Sequence, residues 1–307
     1  MLRKDLKWLW EVAIAPMMTA LGIFGPTQSD NEAYWPRIWW VRSGSLNQFP
    51  LHAAGNHLQQ STENAIDRVI SSYTPTIKSL IYAREQISST FSPIQSPPSL
   101  LIVGMDQTPN QKALPHVNEE VDALSSPDVL PASVKKFTLL TPDKSEVLAN
   151  LSCCQIVHFA CHGKPDLSDP SQSRLLLKDW ETDPLIVANI TALRIQQPLF
   201  AYLSACHSAS NNVEGLLDEG IHLTGSFQLA GFRHVIGTIW QIDDRRSVGV
   251  ARDVYRTIGK DGYLDVSRSA EALHFAIRRL REETRIRARQ ETKDDPLVWA
   301  PYVHFGA

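Results

Sequence analysis

"VHFACHG" spans Val157–Gly163, and "LFAYLSACHSA" spans Leu199–Ala209. Each is an apolar, β-rich run that stops abruptly at Cys, His or Gly. A continuous apolar run of this length predicts a strand covered on both faces. Leu100–Met105 is another such run, and Lys135–Leu140 and His234–Trp240 also read as strands. Helical patterns fall between them, at Asn118–Leu124, from a Thr141 cap with Pro142 at the first helical position to Leu151, and at Ile186–Leu193 and Glu219–Ala230. Two more follow, over Arg245–Thr257 with Asp243 or Asp244 as cap and over Val266–Arg289. Strand alternating with helix predicts an α/β fold, a mainly parallel sheet with helices on both faces. Functional groups in such sheets collect at the carboxyl ends of the strands. The two quoted stretches therefore deliver their reactive residues into one crevice.

The N-terminal part reads differently. Residues 2–22 carry an amphipathic helix, and Arg3 and Lys4 ahead of an apolar run to Phe24 give it some signal-peptide character. Asp5, Glu11 and the helical spacing of Leu9, Val12, Ala13, Met17 and Ala20 favour a packed helix instead. Arg37–Val41, a turn at Ser43–Ser45 and Leu46–Gly55 predict a β-hairpin. Asn64–Ile70 and Thr74–Gln86 have weaker helical patterns, and Ser92–Ser99, with three prolines, reads as a linker. The predicted organisation is a helical and hairpin subdomain over 1–97 and a core over 98–307. The tail Trp299–Ala307 predicts a final edge strand.

Composition bounds the function. The 307 residues are 43% hydrophobic and 21% charged, with a net charge of −3, as in an ordinary globular protein. No basic stripe marks a nucleic-acid partner, and no run is long enough to span a bilayer. Cysteines stand at 153, 154, 161 and 206, three of them within nine positions, which is a poor disulfide framework. Reduced thiols and a cytoplasmic location are expected.

His162 and Cys206, 44 residues apart, are the candidate catalytic pair. A thiol is mostly protonated at neutral pH. An imidazole within reach can take its proton and return one to a leaving amine. The backbone N–H groups of Gly163 and Cys206 are candidate oxyanion donors. Cys161 and His207 alternate away from the pair along an extended chain and read as structural. A zinc site drawn from Cys153, Cys154, His158, Cys161, His162, Cys206 and His207 is the alternative, but no C-x₂-C pair supports it, and neither metal nor cofactor is expected.

Several of these motifs together resemble the CHAT domain: "VHFACHG", "LLLKDW", "LFAYLSACHSAS", "LTGSFQLAGFRHVIGTIWQIDD" and "WAPYVHFG". "WWVRSGSLNQFPLHAAGNH" and the "LLIVGM … LPHVNEEVDAL" segment extend the resemblance over nearly the whole chain. It implies a caspase-like three-layer α/β/α sandwich of the clan CD cysteine peptidases, with His162 as general base and acid and Cys206 as nucleophile. In caspases, too, the His precedes the Cys by about 50 residues. Metacaspases carry an Asp two residues before the Cys in a pocket for basic residues. Here that position is Ser204, so arginine specificity gains nothing from it. By analogy with caspases, Trp240 and Gln241 are substrate-wall candidates, and Asp166, Asp179 and Asp243 are acidic candidates whose plainer reading is capping. His52 reads as structural.

The resemblance implies a protein substrate and an activating partner, a repeat-containing or sensor protein, since no 34-residue repeat is visible in the chain itself. Inflammatory-type or cell-death signalling is the setting it suggests. The competing function is an inactive scaffold on the same fold. A latent peptidase is the third reading, with Ser208–Gly220 as a loop that a partner orders.

Overall fold

The computed structural model describes residues 2–27, 35–57, 61–81, 84, 98–166, 168–195, 197–209, 222–288 and 295–307. Most of the expected linker, most of Ser208–Gly220 and the first residues of the Glu219–Ala230 pattern lie outside them. Eleven strands are described: β1 (Arg37–Val41), β2 (Ile70–Thr74), β3 (Ser99–Gly104), β4 (Lys135–Leu140), β5 (Ile156–Ala160), β6 (His162–Lys164), β7 (Arg174–Leu176), β8 (Leu185–Ile186), β9 (Phe200–Ser204), β10 (His234–Thr238) and β11 (Tyr302–Gly306). Eight form one sheet in the order β1-β2-β11-β10-β9-β5-β3-β4, and β6-β7-β8 form a small second sheet. Every neighbouring pair in the large sheet is parallel except β10 with β11.

Alternate residues of each strand face opposite layers. Leu101, Val103, Val157, Phe159, Ala201 and Leu203 enter one core. It is closed by α1 (Leu2–Leu9) and α2 (Ala15–Ala20), with a π-turn between them, by α4 (Lys144–Leu151), and by α5 (Val187–Thr191) and α6 (Leu223–Leu229). Leu100, Ile102, Ile156, Phe200, Tyr202 and Ile236 enter the other. That core is covered by α3 (Val117–Ser125), α7 (Asp244–Ile258) and α8 (Ser269–Ala288), with Trp299 of α9 (Pro296–Trp299) at its edge. The result is a caspase-like three-layer sandwich.

Three expectations are corrected. Arg37–Gly55 does not form the expected hairpin: Leu46–Gly55 coils into the 3₁₀ turns Gly44–Gln48 and Leu51–Ala53, and β1 pairs in parallel with β2. The tail strand β11 is not an edge but lies fully buried between β2 and β10, with His304 at its centre bonded to Ser72. The cap of α4 is Asp143, not Thr141. Its carboxylate accepts from the Glu146 N–H at 2.9 Å while Glu146 bonds back to the Asp143 N–H. The N-terminal apolar run packs as expected of a helix, with Leu6, Leu9, Trp10, Ile14 and Met18 buried.

Histidines are unusually frequent in this interior, and they set a pH limit. Burial, reinforced by Arg42, pushes His52 down to about 3, and the same two causes bring His222 to about 3. Burial brings His234 to about 4. His222 must stay neutral to work, because its Nδ1 accepts from the Gly225 N–H at 3.0 Å and caps α6. A depressed folded pKa means stability that is whole above the unfolded value near 6.5 and is lost as pH falls toward the folded one. The melting temperature should therefore hold above pH 7 and drop steeply from about pH 6.5 to 4, each histidine contributing up to about 1.4 kcal/mol per pH unit. Calorimetry across that range checks it, and a flat profile would contradict it.

Candidate active site

The parallel register of β5 and β9 sets Ala160 opposite Ser204. His162 and Cys206 each stand two residues further on. Adjacent strands lie about 4.8 Å apart, so the equal offsets bring both side chains to the same end of the sheet. The Cys161 N–H donates to the Ser204 carbonyl at 3.3 Å and extends the pairing by one step. The chain then leaves the large sheet, and His162–Lys164 pairs with β7 instead.

Gly163 is confined at this point. A Cβ there would sit 2.3 Å from the Cys206 carbonyl oxygen, so no other residue fits without backbone movement. Beyond Cys206 the chain turns through His207 at φ 56°, a left-handed conformation that costs a non-glycine residue about 1–2 kcal/mol. Hydrogen bonds to the end of β10 hold the turn. Ser208 Oγ accepts from the Thr238 N–H at 2.8 Å, and Thr238 Oγ1 donates to the Ala205 carbonyl at 2.7 Å.

His162 and Cys206 line one narrow cleft, part of it open to solvent, together with Glu120, Ser204, Asp244 and Ser247. His162 Nε2 is 2.7 Å from the Lys112 carbonyl oxygen. A carbonyl can only accept, so Nε2 carries the proton and Nδ1 is left as the basic nitrogen. Burial raises the Cys206 thiol pKa, main-chain N–H groups of Ile242 and Cys206 pull it part of the way back, and Asp244 raises it further. The resting sulfur is therefore a thiol at neutral pH. The Nε2 hydrogen bond goes to the Lys112 carbonyl and not to the Cys206 sulfur.

The other candidates divide. Ser204 lines the cleft, and its hydroxyl donates to Glu120 Oε2 at 3.2 Å. Trp240, Gln241 and Asp243 do not line it. Trp240 packs against both cores and donates through Nε1 to the Leu297 carbonyl at 3.0 Å. Gln241 is exposed, and Asp243 caps α7 through the Arg246 N–H. The segment between β10 and α7 turns their neighbours Ile242 and Asp244 inward in their place. Asp166 and Asp179 hold backbone N–H groups, of Ser168 and Asp169 and of Lys144 respectively. Cys161 is buried, and burial pushes its thiol far up. Among the described residues no group of three or more His, Cys, Asp or Glu is placed to hold a metal ion.

Glu120 is the cleft residue that strand reasoning misses. It is 2% exposed and sits on α3, where Val117, Glu120, Val121 and Leu124 make an i, i+3, i+4, i+7 stripe. A carboxylate at a core position of that stripe is the available signal. Its Oε2 accepts from Ser204 and from Ser247 Oγ at 3.0 Å, and its Oε1 lies 3.1 Å from His158 Nε2.

The sequence profile of the CHAT domain matches residues 3–307. This chain belongs to the CHAT domain family. Solved structures agree on the fold. The CHAT domain described here superposes on separase in the Saccharomyces cerevisiae separase–securin complex with a TM-score of 0.56 at 15% identity, covering 87% of this chain and 15% of that one. Against the Arg-specific cysteine proteinase gingipain R the TM-score is 0.50 at 12% identity, covering 83% of this chain and 58% of that one. Against RgpB in a complex of its Porphyromonas gingivalis pro- and mature domains the TM-score is 0.50 at 10% identity, covering 78% and 56%. The CHAT domain thus spans little more than half of the gingipain chains and a small part of separase. No curated protein sequence matches it. Among the described residues no helix is long and apolar enough to cross a membrane.

Proposed function

We propose that this CHAT domain is a cysteine endopeptidase. The observation that carries the reading is the matched register of β5 and β9, which brings His162 and Cys206 into one solvent-reached cleft. The basic nitrogen of His162 takes the thiol proton as Cys206 Sγ attacks a substrate carbonyl, giving a tetrahedral adduct. Main-chain N–H groups of Gly163 and Cys206 stabilise the oxyanion. The C–N bond then breaks as His162 returns the proton to the departing amine, leaving a thioester on Cys206. Water, deprotonated by His162, adds to the thioester and releases the acid and the thiol.

Two features support regulation by a protein partner. The sulfur rests protonated, and the imidazole is tethered to the Lys112 carbonyl rather than to sulfur. A partner that repositions the loop carrying Lys112 would free the ring to face the thiol. The four cysteines, all free, fit a cytoplasmic setting. Incubation with a degenerate peptide library, read by mass spectrometry, tests the activity. Wild type should yield new termini and Cys206→Ala none. Equal product patterns from the two proteins would leave the scaffold reading in place.

A further inference from the structure

Residues 105–116, between β3 and α3, carry the Lys112 carbonyl that holds His162, and the turn between β7 and β8 holds this loop in its turn. Trp180 donates through Nε1 to the Pro109 carbonyl at 2.9 Å. Glu181 accepts the Asn110 side-chain amide on both carboxylate oxygens, at 3.0 and 3.1 Å. Asn110 is at φ 56°, a left-handed conformation that asparagine tolerates better than most residues. Two residues later stands Lys112. The β7–β8 turn is the firmer side of this contact. Its Lys178 N–H donates to the Pro142 carbonyl at 3.0 Å, and its Asp179 carboxylate accepts from the Lys144 N–H at 3.1 Å. Asp183 pairs with Lys144 Nζ at 2.6 Å. These bonds fasten the turn to the start of α4. Lys164 lies over the Trp180 ring at 5.2 Å, a cation–π contact that places the indole from the same short strand that begins with His162.

We infer that Trp180 and Glu181 latch the Lys112 loop, and so keep the His162 ring bonded to that loop rather than to the Cys206 sulfur. The inference rests on the peptidase reading and names the device that regulates that same site. Trp180 and Glu181 are positioning residues: they act on His162 through Pro109, Asn110 and Lys112. Over residues 107–113, the hydrogen bonds to the rest of the described protein are those to Trp180, Glu181 and His162. Release of the first two leaves the loop held in place by the imidazole alone. A lone exposed hydrogen bond to a main-chain carbonyl exchanges readily for one to water. The ring is then free to turn its basic nitrogen to the thiol and draw off the proton. The latch bonds lie at the surface, where a protein partner can compete for the indole N–H and the carboxylate.

The test is alkylation of Cys206 by iodoacetamide in the whole chain, with the label located by mass spectrometry. Trp180→Phe keeps a ring beneath Lys164 and removes the N–H. Glu181→Ala removes the carboxylate, and Asn110→Ala cuts the same bond from the loop side. Each variant should alkylate faster than wild type at pH 7, with Asn110→Ala matching Glu181→Ala. Trp180→Phe combined with Glu181→Ala should gain at least about fivefold. The pH profile of that double variant should also change shape, rising already below the ordinary thiol range. Adding His162→Ala should return both rate and profile to those of wild type, whereas a gain from loosened packing alone would survive. An unchanged rate in the double variant, or a gain that persists without His162, would overturn the latch and leave the peptidase reading standing. Cleavage of a degenerate peptide library by the same double variant tests that reading separately. Faster alkylation with faster cleavage supports both. Faster alkylation through His162 with no peptide cut would keep the latch and overturn the peptidase.

Discussion

His162→Ala should slow peptide hydrolysis by about 10²–10⁴-fold, the usual worth of a positioned general acid–base group. The expectation is at the upper end because the resting sulfur is a thiol, its pKa raised first of all by burial. A nucleophile already ionised would lose only the proton return to the amine. Here the imidazole is needed twice, to make the thiolate and to protonate the departing nitrogen. The sign of the pH effect follows. A raised thiol pKa keeps Cys206 protonated through neutral pH, so alkylation by iodoacetamide should be slow near pH 7 and climb only above the ordinary thiol range. Raising the pH should therefore recover part of the His162→Ala deficit, by ionising the sulfur without a base. A rate for His162→Ala within threefold of wild type at pH 7 would remove the imidazole from the mechanism.

The second large effect is predicted at Gly163. In Gly163→Ala the new methyl would stand 2.3 Å from the Cys206 carbonyl oxygen. That obstacle is backbone, held by the Thr238 contacts to Ala205 and Ser208, so it cannot swing aside as a flexible side chain would. Overpacking of this kind costs about 1–3 kcal/mol. It also displaces the nucleophile, and a shift of about 1 Å can cost about 10²-fold in rate. Gly249→Ala is the control. Gly249 is on α7 with open space around its Cβ position, so alanine there should stabilise by up to about 1 kcal/mol. Thermal melting and turnover on the two variants separate the cases. A Gly163→Ala protein as stable and active as wild type would show that the two strand ends are not in contact.

Much of this arrangement is legible in the letters. Runs such as Leu100–Met105 and Leu199–Ala205 are apolar without alternation because helices cover both faces, and such strands are recognisable from sequence. Their ends give the catalytic candidates directly. The N-terminal strands are harder to read. β2 reads Ile-Ser-Ser-Tyr-Thr, and its Ser72 is buried through a hydrogen bond with His304 Nδ1, 232 residues away. A polar residue satisfied by so distant a partner carries no local signature. Leu46–Gly55 has strand-like composition but spends it on 3₁₀ turns that bury Leu51 and His52 against Tyr73. Glu120 is hidden differently. Glu119 beside it is exposed, so the pair looks like the solvated face of a helix. Only its register with Val117, Val121 and Leu124 distinguishes it, and that register has to be counted. Asp243 takes its plainer reading as the cap of α7, while its neighbour Asp244 lines the cleft, because local pattern fixes that a cap exists more firmly than which neighbour turns inward.

The placement of β11 has a consequence for the order in which the molecule can assemble. Among the described strands, β1 and β2 reach the rest of the sheet only through β11, which is synthesised after the others. On the ribosome the β1–β2 pair must therefore wait for more than two hundred residues before it has a further edge to join. Loss of residues 302–306 would cut the sheet in two rather than trim it. It would also strip β10 of the neighbour that braces the end to which the Cys206 turn is fastened.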